Sequence, residues 1–141
     1  MPTNRADKFT QTSKKSEIYS DFGTDFDVHP ETKQLVRFVN ESAVKRSVRN
    51  LVLTNRYNRY KNPRLGGDID RLLFEPSSPQ TSNSLKTAIE DVITNFEPRA
   101  HLINITVSPS PDETAYNVTI VFSVINIPNP IRLDLVLFRI R

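Results

Sequence analysis

Two charged residues flanking a proline, Glu97-Pro98-Arg99, are the part of this 141-residue chain best placed to do chemistry. A glutamate can act as the general acid of glycoside hydrolysis. That reaction needs a second carboxylate at a defined separation and an acid whose pKa is raised. Arg99, two residues away, favours the charged carboxylate and pulls in the opposite direction. The residue types fit a fixed ion pair or a partner-docking fork better, because a guanidinium and a carboxylate can each make charge-assisted bonds across an interface. His29 and His101 are the only histidines, and neither has a second ligand at short helical spacing, so no metal site is expected. Cysteine is absent, which excludes a disulfide framework and a thiolate nucleophile. Three glycines supply no phosphate-binding loop, and no cofactor is expected.

A second candidate is the acid-free segment 45–64, with Lys45, Arg46, Arg49, Arg56, Arg59, Lys61 and Arg64. Tyr57 and Tyr60 interleave with the last four cations. Cations plus stacking aromatics suit a phosphate backbone. A basic loop facing an acidic protein surface explains the same residues without a nucleic-acid motif, which the surrounding sequence lacks. Charge is divided along the chain: residues 1–67 carry a net +6 and residues 68–141 a net −3, against +3 for the whole. Such a molecule suits docking between unlike neighbours.

The elements that must position these residues follow from periodicity. Residues 1–30 are polar with sparse anchors at Ile18, Tyr19, Phe22, Phe26 and Val28. They form an expected N-terminal arm, ordered only against a partner in an assembly. The segment has no apolar signal-like run, and no stretch of the chain is long and apolar enough to span a bilayer. A first helix is predicted from Pro30-Glu31-Thr32 to about Thr54, on the stripe Val36, Val39, Ala43, Val44, Val48, Leu51 and Val52. Asn55–Gly67 reads as a loop, and Ile69–Phe74 as a short helix ended by Pro76 and Pro79. The clearest helix is capped by Thr81 or Ser82, runs through Leu85, Ala88, Ile89, Val92, Ile93 and Phe96, and is stopped by Pro98.

Three strands follow: Leu102–Ser108, Tyr116–Ile125 and Ile131–Arg141, with Pro128-Asn129-Pro130 as the last connection. Helices followed by consecutive strands predict an α+β fold: N-terminal helices, then a small antiparallel sheet of about three strands, with an extended N-terminal arm. Residues 31–141 form one domain after the arm 1–30. In the final strand Leu135, Val136, Leu137, Phe138 and Ile140 place apolar groups on both faces, with Arg139 and Arg141 beside them. Burial under a helix explains this, and so does addition of strands from another chain.

In this order the segments resemble a known family. They are Ser47–Thr54, the loop Asn62-Pro63-Arg64-Leu65-Gly66-Gly67, Asp70–Glu75, the helix ending in Phe96-Glu97-Pro98-Arg99, and Phe122-Ser123-Val124-Ile125-Asn126. The chain resembles, over roughly residues 35–141, the baseplate wedge and sheath-initiator proteins of contractile-tailed phages, which are related to a type VI secretion baseplate component. The resemblance implies a structural protein of the virion baseplate, assembled in the host cytoplasm in several copies around a ring. It implies that Glu97, Pro98 and Arg99 dock onto other baseplate wedge proteins. Residues 135–141 would template tail sheath subunits by strand addition, with tail tube or hub proteins as further candidate neighbours. No membrane and no direct nucleic-acid partner is implied. Some members carry a lysozyme-like label. A cell-wall hydrolase using Glu97 and a nucleic-acid binder using residues 45–64 stand as the alternatives.

Overall fold

The computed structural model describes residues 16–23, 26–110 and 114–139. The arm's first fifteen residues and the expected sheath-contacting Ile140 and Arg141 lie outside the described residues. The order is β1 (Ser20–Phe22), β2 (Arg37–Val39), α1 (Glu41–Val52), α2 (Ile69–Leu73), α3 (Pro79–Phe96), β3 (Ala100–Pro109), β4 (Ala115–Val124) and β5 (Ile127–Phe138). The α+β reading holds. β3, β4 and β5 form an antiparallel sheet in sequence order, and β1 and β2 pair separately.

The start of the first helix differs from expectation. Pro30, Glu31 and Thr32 form a turn, followed by Lys33 in a left-handed conformation. Val36 and Val39 lie along the returning arm of a hairpin, where Ser20 pairs with Val39 and Phe22 with Arg37. The helix begins only after Asn40, whose backbone (φ 50°, ψ −115°) lies outside the helical region. Asn40 explains the break. Its Oδ1 accepts from the Ile18 and Tyr19 backbone N–H groups at 2.9 and 3.3 Å, and its Nδ2 donates to the Ser16 carbonyl at 3.0 Å. A side chain able to imitate backbone bonding competes with the helix at this position. The boundary expected at residue 30 thus falls in the hairpin turn, and the segment from Ser16 to Phe22 is tied back onto the chain.

Ser78 caps α3, with its Oγ accepting from Thr81 N–H at 3.1 Å, and Pro79 occupies the first helical position. The helix therefore starts a few residues before the expected cap, because proline at that position lacks an N–H the helix would not use. The Pro128-Asn129-Pro130 run does not connect strands but lies within β5, while Ile125 and Asn126 make the tight turn, Asn126 at φ 68°. Prolines are admissible there because β5 is an edge strand. Gly66 (φ +100°) closes the loop after α1. A Cβ built on it would lie 2.1 Å from the Thr54 carbonyl oxygen, so only glycine fits.

Apolar residues of one stripe of α1 (Val44, Val48, Val52) and of α3 (Leu85, Ile89, Ile93) bury the inner face of the sheet. That face alternates as β-pleating requires: Tyr116, Val118, Ile120, Phe122 and Val124 on β4, with Leu133, Leu135 and Leu137 on β5. Both helices pack on this face, and among the described residues no helix covers the other. This places the Glu97–Arg99 junction at the end of α3, beside α1 and the hairpin.

Candidate functional site

The junction is built by the end of α3. The Glu97 N–H completes the helix by bonding the Ile93 carbonyl at 2.9 Å, and Pro98 prevents continuation. The Arg99 carbonyl then accepts from Ile125 N–H at 3.1 Å, fixing the turn against the end of β4. Between these anchors the side chains form a bidentate pair. Arg99 Nε donates to Glu97 Oε1 at 2.5 Å, and Arg99 Nη2 donates to Oε2 at 2.7 Å. Ser47 of α1 donates its hydroxyl to the same Oε2 at 2.5 Å. Tyr19 lays its ring under the guanidinium, 5.4 Å from ring centroid to Cζ.

Glu97 is only 2% exposed, whereas the Arg99 side chain keeps 37% of its surface. Burial pushes the Glu97 carboxyl up, but the Arg99 and Ser47 hydrogen bonds and the Arg99 charge more than offset it. The net shift is downward, so the carboxylate stays charged. The bond to Glu97 in turn raises Arg99, against the opposing effect of burial. A carboxyl held below its ordinary value beside a guanidinium is the reverse of a general acid. Glu97, Pro98 and Arg99 are thus together, with unequal exposure: the carboxylate is inside and the guanidinium reaches the surface.

Arg99 sits in a cleft of about 710 Å³. One wall is Phe22 and Phe26 from the hairpin side, the other Arg59 and Leu65 from the loop, and Leu51 and Phe96 lie between. The basic segment does not act as one patch. Lys45 lies near enough to help lower the Asp134 carboxyl, after its larger hydrogen bonds from Thr119 and Arg132. Arg46 lies over the Phe38 ring at 4.6 Å, and Arg56 approaches Asp68 at 3.7 Å. Arg59, Lys61 and Arg64 are exposed on the loop with Tyr57 and Tyr60. The histidines are apart: His29 accepts from the backbone in the hairpin turn, and His101 lies opposite Ser123 on β3. Among the described residues no group of three His, Cys, Asp or Glu could hold a metal, and no helix is long and apolar enough to cross a membrane.

The second feature is β5. Its Leu135 and Leu137 are buried, while Val136 and Phe138 on the other face are 52% and 73% exposed. Among the described residues no strand pairs with its outer edge. Arg139 N–H donates inward to the Thr114 carbonyl at 2.8 Å, just beyond the Ala115–Phe138 and Tyr116–Leu137 pairs. Backbone groups alternate in direction along an antiparallel ladder. The N–H groups of Val136 and Phe138 therefore point to the open edge. Sequence reasoning found this strand, but it missed Ser47, Asn40 and the role of Tyr19. Ser47 lies 50 positions from Glu97 and carries no signal for the contact; Tyr19 was visible only as an anchor.

These features define an α+β protein with a charged fork at the end of α3 and, among the described residues, an unpaired outer edge of β5. Residues 39–128 match the family model described as Baseplate wedge protein gp25. The protein of that name from Enterobacteria phage T4 is 31% identical over 110 residues, covering 74% of this chain and 83% of the T4 protein. A solved protein from Geobacter sulfurreducens, provisionally described as a tail lysozyme, superposes with a TM-score of 0.65 at 21% identity, covering 70% of this chain and 89% of its own. A chain in the anti-feeding prophage baseplate superposes with a TM-score of 0.61 at 19% identity, over 87% of both chains. The chain belongs to the gp25 baseplate wedge family, and its place is the tail baseplate of the virion.

Proposed function

We propose that this baseplate wedge protein docks on other wedge proteins through Arg99 and starts sheath polymerisation at the free edge of β5. The observation that carries the docking reading is the unequal pair. Glu97 is buried and holds the fork by two bonds, while Arg99 remains open to a cleft. A guanidinium pre-oriented in this way loses little freedom on binding. The strand reading is supported by the outward N–H groups and exposed apolar side chains of β5, which suit strand addition. Tail sheath subunits add there, in several copies around a ring, with tail tube or hub proteins as further neighbours. In this reading the chain divides into an arm, 1–30, and one domain, 31–141, and Asp21, Phe22 and Phe26 of the arm line the docking cleft.

The protein has no catalytic role in this reading. Glu97 is held charged, and purified protein should leave cell-wall substrate intact; clearance abolished by Glu97→Gln would establish the hydrolase instead. Docking is tested with the double substitution Glu97→Gln and Arg99→Gln, which removes the fork without leaving a buried charge. The folded variant should be missing from purified tails. Incorporation at the wild-type copy number would refute docking at this site.

A further inference from the structure

We infer that the loop Asn55–Gly67 and the hairpin wall make the Arg99 cleft a groove for an amphipathic protein segment, with carboxylates over the loop and apolar side chains inside. This rests on Arg99 being a docking residue and names the chemistry of what docks.

The loop is held in one shape before any partner arrives. Tyr57 N–H bonds the Pro63 carbonyl at 2.9 Å, Leu65 N–H bonds Asn62, and Gly67 N–H bonds Thr54. The Asn55 amide donates to the Asp70 carboxylate at its neck. On this frame Arg59, Lys61 and Arg64 face solvent, and Tyr60 is fully exposed at 101%. A fixed loop presenting cations and an aromatic ring is pre-organised for an acidic surface.

The cleft beside it distinguishes the class of partner. Its walls include Phe22, Leu65 and Phe96, and Asp21 and Glu97 also line it. A nucleic-acid backbone would bring phosphates toward the Asp21 carboxylate and along apolar walls. A protein segment can put apolar side chains into the cleft and keep its carboxylates over the loop. The size of the cleft matches a site for a few side chains. Phe22 and Asp21 precede residues 39–128, the region that the family model matches.

The test combines Arg59→Glu, Lys61→Glu and Arg64→Glu in the full chain, with Glu97→Gln/Arg99→Gln as the reference. Tails are purified from the host in which they assemble, and copies of the chain per tail are counted. The loop variant should fold with an unchanged unfolding midpoint and be incorporated at least tenfold less. The milder Arg59→Gln/Arg64→Gln should show a smaller loss, and it replaces the triple variant if that misfolds. Normal incorporation of the loop variants with loss of the reference variant overturns the inference and leaves docking at Arg99 standing. Normal incorporation of both overturns both. A free protein that binds a 20-base-pair duplex with steep salt dependence, lost in the loop variant without loss of incorporation, assigns the loop to nucleic acid and also overturns the inference.

Discussion

Ser47 and Glu97 are fifty positions apart and joined by a 2.5 Å hydrogen bond from the Ser47 hydroxyl to Glu97 Oε2. The bond ties the middle of α1 to the end of α3 at the point where Arg99 leaves the core. It gives the buried carboxylate a third donor, and a charge so enclosed survives only if its acceptor sites are filled.

Stability should therefore depend on pH through Glu97. Its folded-state pKa lies below the ordinary 4.5, so the stabilisation is complete above that value. It is lost as pH falls through the lower folded-state value, where the folded carboxyl takes up its proton. Glu97→Gln should flatten the acid limb of the unfolding profile, and Ser47→Ala should cost about 1 kcal/mol at neutral pH. Urea unfolding from pH 7 down to pH 3 checks both; an unchanged acid limb in Glu97→Gln would rule out the linkage.

The N-terminal segment should be held in the isolated protein as far as Asn40 reaches. Asn40→Ala strips two backbone donors of their acceptor and should cost about 2 kcal/mol. In hydrogen exchange the Ile18 and Tyr19 amides should be protected in the wild type and fast in this variant. Tyr19→Phe should keep the ring beneath Arg99, whereas Tyr19→Ala should lose about 0.5–1 kcal/mol. Fast exchange at both amides in the wild type would contradict this and favour an arm, 1–30, that is ordered only in the assembly.

Gly66→Ala should be among the most damaging single-methyl changes. The new Cβ meets the Thr54 carbonyl oxygen at 2.1 Å in a backbone conformation that L-residues avoid. A loss of about 2–4 kcal/mol is expected, read as a drop in thermal midpoint. A midpoint within a degree of wild type would show that the loop neck is not constrained as described.

Val136→Pro separates core packing by β5 from the strand addition proposed for it. It removes a donor aimed at the open edge while leaving the β4 ladder its inward bonds, so the protein should still fold and join the baseplate. Sheath assembly should fail to start. Full-length sheaths at normal yield would confine β5 to core packing.

Much of this was legible in the sequence, for reasons that differ between elements. The stripe of α3 and the alternation of β4 are local patterns dictated by burial on one face, so they read directly. Val36 and Val39 matched a helical spacing as well as a strand, and only the contact between Asn40 and residues 16–19 decides between them. The proline pair in β5 reads as a breaker until the strand is known to be an edge. Glu97 and Arg99 were visible as a pair, but their division into a buried anchor and an exposed fork depends on Ser47 and Tyr19. Those contacts span 50 and 80 positions, and no local pattern encodes them.

A reconstruction of the assembled tail that resolves side chains around this chain tests the central claim most directly. The account predicts another wedge chain within hydrogen-bonding distance of the Arg99 guanidinium, with the Glu97 pair intact behind it. It also predicts a sheath strand about 4.8 Å from the outer edge of β5, bonded to the Val136 and Phe138 N–H groups. An Arg99 facing solvent and an unpaired β5 edge in the assembled tail would contradict it.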